Sequence, residues 1–298
     1  MDFNENYVKK LLPKRPENSH KGTFGHVLNI AGSGFYSGAA YFSSIAPLKV
    51  GCGKSTLASC ETVIKTVSTL SPDIIFLPLD ETNLKTISHK AIKQIEPLLE
   101  NYQAISIGCG LSTDKDTKNF FEGIIKKLNQ LSTPVVIDAD GLNILSKSTL
   151  APCGRGQGEG LLLPQNTILT PHPMELSRLL GVNVETILVQ PEFWAQKCSE
   201  KFNCTTVLKP HKTVVADNHG RLYTNNTGNS ALAHGGSGDV LCGMITGLLA
   251  QGLNPFDASI LAVYLHGKTA EIASKELTEY SVLASDLLNY IPLTIKSI

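Results

Sequence analysis

The sequence lacks an excess of charge of either sign: 26 Lys and Arg stand against 26 Asp and Glu, so the formal net charge is zero. Nucleic-acid binders carry a basic face and polybasic membrane-surface proteins a cation cluster, so neither partner is expected. Long apolar runs are also missing. The best, 240–253, is broken by glycine and falls short of the roughly 18 residues of a membrane span. The first ten residues, MDFNENYVKK, hold no apolar signal core. Among seven cysteines, at 52, 60, 109, 153, 198, 204 and 242, there is no C-x-x-C pair. That odd, scattered set argues against a disulfide framework and against a zinc site. Several, Cys52 and Cys242 among them, read as small buried residues. These absences together predict a cytoplasmic protein.

What is present is the composition of a folding chain, 42% apolar and only 17% charged. A chain this long buries about three quarters of its extended surface. Neither a repeat nor a linker interrupts it, so residues 1–298 read as one domain. Apolar runs of strand length alternate with helical stretches. Strands are expected over 27–31, from 55, over 73–77, 104–107, 134–138, 167–170, 205–209 and 213–216. A hairpin partner follows at 221–223. Helices are expected over 37–50, 88–100, 114–131, 173–180, 239–251, 255–275 and 281–289. Ser37 reads as the cap of the first, and Pro47 should bend it unless packing satisfies it. The alternation predicts a mostly parallel sheet with helices on both faces and an antiparallel edge. The segment 152–160, PCGRGQGEG, has four glycines and reads as a mobile loop or an insertion.

Glycine, at 25 residues, is clustered at the ends of predicted strands. GCGKST at 51–56 is a false phosphate loop. The motif needs glycine at position 48, where Leu48 stands, and a strand where a helix is expected. Gly235-Gly236-Ser237-Gly238-Asp239 is stronger. Its glycines uncover backbone N–H groups at the start of a helix, whose orphan amides and positive end attract phosphate. An Asp there would repel a merely bound phosphate, but it suits a base that activates a hydroxyl for phosphoryl transfer. The helix end should lower the pKa of Asp239. Lys209-Pro210-His211-Lys212-Thr213 joins two strands, with the Lys209 ammonium able to reach a sheet-edge cleft. In Thr170-Pro171-His172-Pro173, two prolines hold His172 at the same edge, as a ligand contact or as a helix cap. Gly32-Ser33-Gly34 and Gly108-Cys109-Gly110 close other strands there. Asp138 and Asp140 offer two carboxylates to Mg²⁺ through water, or simply form a turn.

With those residues in view, the chain resembles the ADP/ATP-dependent NAD(P)H-hydrate dehydratases of the ribokinase-like superfamily. The matching segments are KGTFGHVLNIAGS, SGAAYFSS, IGCGLS, VIDADGLN, ILTPHPMELSRLLG, VLKPHKTVV, NNTGNSALAHGGSGDVLCGMITGLLAQG and AVYLHGKTAE. The resemblance implies a three-layer α/β fold. It implies repair of NADHX and NADPHX by phosphorylating the ring hydroxyl with ADP or ATP, with Mg²⁺ as cofactor, and then expelling phosphate. ADP is the expected co-substrate of a chain without an epimerase domain. By resemblance Asp239 is the base and touches the hydrate, whose pocket includes Ala39, Ala40, Gly110 and His172. Lys209, Pro210, His211, Lys212 and Thr213 lie along the nucleotide, and Gly235, Gly236, Ser237 and Gly238 hold its phosphates. A homo-oligomer, often a tetramer, is implied as well. This chain departs from the family pattern at Pro210, Cys109 and His234. Two other readings remain: a small-alcohol kinase on the same scaffold, and a silent nucleotide-binding regulator.

Overall fold

The computed structural model describes residues 3–148 and 162–298, so the glycine-rich segment 152–160 lies outside the described residues. The strands are β1 (His26–Ile30), β2 (Lys54–Cys60), β3 (Ile75–Leu79), β4 (Ala104–Ile107), β5 (Val135–Ile137), β6 (Thr167–Leu169), β7 (Thr205–Leu208), β8 (Val214–Ala216) and β9 (Leu222–Thr224). They form one sheet in the order β3-β2-β1-β4-β5-β6-β7-β8-β9. The pairs from β3 to β7 are parallel; β7 with β8 and β8 with β9 are antiparallel. The expected antiparallel edge is therefore present, built on the 217–220 turn.

The described helices are α1 (Glu5–Lys10), α2 (Ser37–Lys49), α3 (Glu61–Val67), α4 (Ile92–Ile95), α5 (Lys115–Leu128), α6 (Asp140–Lys147), α7 (Pro173–Leu180), α8 (Val184–Val189), α9 (Pro191–Phe202), α10 (Ser237–Ala250), α11 (Pro255–Leu277) and α12 (Ala284–Lys296). Successive strand residues point to opposite faces, and each face has its own core. Val27, Val136, Ile168 and Val207 pack with α2, α10, α11 and α12. Leu28, Ile137, Leu169 and Leu208 pack on the other face with α5, α7 and α9. Burial on both faces is what makes these strands continuously apolar.

Two local expectations change, and Pro47 stays within its expected helix. The single helix expected over 88–100 is a 3-10 turn at His89–Ala91, the four-residue α4, and a second 3-10 turn at Glu96–Asn101. Pro97 cannot donate to the carbonyl four residues back, so the α-helix ends before it. Ser37 does not cap α2; Tyr36 holds the cap position, without a side-chain bond. Pro47 stays inside α2. The Ser43 carbonyl it leaves without a helical donor faces Gly243 of α10, where a Cβ would come within 2.5 Å of that oxygen. Gly243 and Gly247 let α10 lie directly against α2 at the proline.

Candidate active site

Because β1, β4, β5, β6 and β7 are adjacent and parallel, their C-terminal ends gather at one edge. The order reverses between β1 and β4, whose neighbours on the other side are β2 and β5. In open α/β sheets, ligands bind at such a switch point. Two glycines make it narrow. Gly32 (φ +85°) donates its N–H to the Cys109 carbonyl at 2.8 Å, and a Cβ there would press on Ala40 at 2.8 Å. Gly108 (φ +134°) runs so close to β5 that a Cβ would lie 1.9 Å from the Asp138 carbonyl oxygen.

Beyond β5 the chain turns at Ala139, with φ +48° and ψ −116°. Strained non-glycine residues of this kind cluster at functional sites. The turn buries Asp138, 2% exposed, and aims it at Lys209 at the end of β7. The Lys209 Nζ donates to Asp138 Oδ1 at 2.8 Å. Its backbone N–H is held by the Pro171 carbonyl at 2.9 Å, which ties the ends of β6 and β7 together. The ammonium loses solvation by burial, but Asp138 and Glu175 outweigh that and hold its pKa above the usual lysine value.

Opposite this pair stands the start of α10. Gly236 (φ +92°) precedes it, and no side chain caps the helix. The Ser237 N–H donates to the His234 carbonyl at 3.4 Å, and the later first-turn N–H groups carry the positive helix end. Lys209 reaches this turn as well: a Cβ on Gly238 would lie 3.5 Å from Nζ. Asp239 follows, partly exposed. Burial pushes its pKa up to about 6, with help from Asp138, while the Cys109 thiol and Lys209 pull the other way. This corrects the expectation of a lowered value. Desolvation and a neighbouring carboxylate outweigh the helix end, which is worth only about 0.3–1 kcal/mol at an exposed site. Asp239 is therefore a stronger base than its sequence context implies.

A cavity of about 550 Å³ opens beside this turn, and among its walls are His172, Lys209, Pro210, His211, Thr213 and Gly238. Ser237 lines it too, with its hydroxyl 3.3 Å from His266 Nε2. Burial takes the His266 pKa down to about 4, so this imidazole is neutral at physiological pH. The expected nucleotide residues thus divide. Lys212 is exposed, and neither it nor Gly235 and Gly236 is in the cavity wall. Gly236 instead serves the turn, where a Cβ would strike Phe42 at 2.7 Å.

The remaining site residues lie toward β1 and β4. Ala39 sits against Gly110, whose absent Cβ would come 2.9 Å from it. Ala40 is fully buried beneath Gly32, so its own side chain has no free surface. His172 is the helix cap that the sequence allowed, and it also stands in the cavity wall. It caps α7, with Nδ1 accepting from the N–H groups of Met174 and Glu175, and its exposed ring edge faces the cavity. Its backbone N–H donates to Glu175 Oε2 at 2.8 Å, and burial pushes Glu175 up to about 7. Asp138 and Asp140 each give one carboxylate oxygen to a different donor. Asp138 turns to Lys209, and Asp140 Oδ2 accepts from the Ser112 N–H at 2.8 Å. Glu175, His266 and Cys242 were not singled out as site residues from sequence. Cys242 alone had a signal, lying three residues after Asp239 on one helix face.

A family model described as NAD(P)H-hydrate dehydratase matches residues 27–293. The chain is 36% identical over 274 residues to the ADP-dependent (S)-NAD(P)H-hydrate dehydratase of Neisseria meningitidis serogroup B, covering 92% of this chain and 84% of that protein. It is 34% identical over 292 residues to the bifunctional NAD(P)H-hydrate repair enzyme Nnr of Moorella thermoacetica, covering 98% of this chain and 53% of that one. It therefore spans about half the length of that relative, as of its namesake in Thermofilum pendens. Among solved structures, the ADP/ATP-dependent NAD(P)H-hydrate dehydratase of Bacillus subtilis, co-crystallised with ATP/Mg²⁺, superposes with a TM-score of 0.82. The identity is 32%, over 99% of this chain and 97% of that one. The three-layer α/β arrangement expected from sequence, ribokinase-like, is the one observed.

Proposed function

The chain belongs to the NAD(P)H-hydrate dehydratase family, and from that premise we propose that it converts the S-form of NADHX or NADPHX to NADH or NADPH with an adenine nucleotide. One observation carries the reading. A carboxylate of raised basicity, Asp239, stands in the uncapped first turn of α10, beside a lysine aimed at the same turn and a cavity of about 550 Å³.

The nucleotide takes the cavity between β7 and α10, with its phosphates toward Gly238 and the Lys209 ammonium. The hydrated nicotinamide ring lies toward Ala39, Gly110 and His172, which brings its hydroxyl to Asp239. Asp239 accepts the hydroxyl proton as the oxygen attacks the terminal phosphoryl group. The loose transition state asks only modest basicity of it, and the amides and Lys209 stabilise the transferring charge. Hydroxide is a poor leaving group and phosphate a good one. The C–O bond then breaks with the electron pair on phosphate, the ring loses a proton from the adjacent carbon, and the double bond returns. With ADP the products are AMP and phosphate. Magnesium suits this chemistry as a companion of the nucleotide's phosphates. Among the described residues, Asp138 Oδ1 accepts from Lys209 and Asp140 Oδ2 from the Ser112 N–H, so Mg²⁺ would be held chiefly by those phosphates.

The test is incubation of the protein with the hydrate and ADP or ATP, followed at the absorbance band of reduced nicotinamide. Recovery of the band is expected. Its failure with both nucleotides, or formation of a stable phosphate ester, would overturn the reading in favour of a small-alcohol kinase.

A further inference from the structure

The catalytic crevice contains two thiols that the reaction does not use. Cys109 follows β4, between Gly108 and Gly110, and Cys242 lies in α10, three residues after Asp239. Both are buried. Their sulfur atoms and a carboxylate oxygen of Asp138 all lie within 4.8 Å of one another. Cys109 Sγ is 3.8 Å from Asp138 Oδ2, while Lys209 occupies the other oxygen, Oδ1. One lone pair set of the carboxylate is thus engaged and the other faces the thiols.

We propose that Cys109, Cys242 and Asp138 form a binding site for a thiophilic divalent cation of the zinc class, and that its occupation disables Asp239. The second half rests on the reading of Asp239 as the base. Two sulfurs and one oxygen are a donor set for zinc or cadmium, not for magnesium. Zinc bonds of about 2.3 Å to sulfur and about 2.0–2.2 Å to oxygen place tetrahedral donors about 3.5–3.8 Å apart. The three atoms need to close by about an ångström at most, a side-chain adjustment. Charge balances too. On binding, both thiol protons leave to solvent. Two thiolates and one carboxylate then neutralise the dication together with the Lys209 ammonium. Asp239 stands three residues before Cys242 on the same face of α10 and is partly exposed, so an ion held by the thiols sits beside the base. A second thiol pair, Cys198 with Cys204, is also buried, but it has no carboxylate in such a cluster among the described residues. It is the internal control.

The experiment titrates the reduced full-length protein with Cd²⁺, a zinc-class probe whose bonds to thiolate absorb in the ultraviolet. One equivalent per chain should develop the band, and X-ray absorption of the bound ion should read two sulfurs plus oxygen. Cys109→Ser and Cys242→Ser should each weaken binding by more than about tenfold, the loss seen even for outer-shell partners. The variant Cys198→Ser/Cys204→Ser should bind as the parent does. No band at stoichiometric Cd²⁺, a band that survives both crevice variants, or a wild-type ligand shell without two sulfurs overturns the site; the last measurement needs no variant to fold. Zn²⁺ should also stop turnover, reversibly with a chelator. Undiminished turnover at full occupancy would overturn the inhibitory half. The cadmium band is read without turnover, so a protein inactive on hydrates still decides whether the site exists.

Discussion

Replacing Lys209 by methionine removes the ammonium and keeps most of the volume of its stem. In the parent, Lys209 Nζ is 2.8 Å from Asp138 Oδ1, with the two side chains 19% and 2% exposed. The variant leaves a carboxylate buried without its counter-charge, a change that costs about 3–5 kcal/mol. A domain of about 150–250 residues loses about 2–4 °C of melting temperature per kcal/mol, and this longer chain belongs at the low end. The expected fall is about 6–10 °C at neutral pH, read by calorimetry or dye fluorescence. Adding Asp138→Asn removes the orphaned charge, so the double variant should melt above the single one despite carrying one more substitution. Activity gives a second readout. Lys209 holds the Asp239 pKa down against burial, so its loss should move the acid limb of the pH profile to higher pH. A single variant melting within about 2 °C of the parent, less than about 1 kcal/mol, would refute the argument. So would a double variant that loses the sum of the two single losses.

Other consequences can be measured on the same protein. Asp239 must be ionised to accept a proton and its pKa is raised to about 6, so turnover should be present above that value and fall as pH drops through it. Asp239→Asn should retain nucleotide binding, read by calorimetry, and lose turnover by a factor of about 10² or more along with that limb. Gly243→Ala places a Cβ within 2.5 Å of the Ser43 carbonyl and should lower stability by about 1–3 kcal/mol through overpacking, read by denaturant titration.

Apolar runs mark strands and helices most sharply where hard local signals bound them. The helix at Pro173–Leu180 was anticipated to the residue, because Pro173 suits a first turn and Gly181, at φ +70°, suits a left-handed exit. The hairpin of β8 and β9 was visible from its turn residues. Helices α1, α3, α6, α8 and α9 have no counterpart among the expected ones. The interior of α9 spreads small, charged and aromatic residues round the helix, so no apolar stripe marks it. Apolar spacing carries a helix across 88–100, but Pro97 ends it, and a 3-10 turn follows. The structure brings Gly238, Asp239 and Lys209 together: Lys209 follows a strand at the sheet edge, and the glycines ahead of Asp239 mark the start of α10. His266 was not, since a neutral histidine within a long buried helix has no local signature of its contact with Ser237.

By itself, the sequence determined the layer order of the fold, the glycine loops and the nature of the reactive groups. Each follows from local periodicity, from backbone sterics or from side-chain chemistry. Only the tertiary structure decided how those groups act on one another. Burial beside Asp138 made Asp239 a stronger base when the helix end alone predicted a weaker one. The absence of a C-x-x-C pair argued against a soft-metal site, yet folding carries Cys109 and Cys242 across 133 positions of chain to the same carboxylate. Spacing along a chain constrains only what neighbours can do. Desolvation and coordination depend on which strand ends a sheet brings together, and those are long-range properties of the fold.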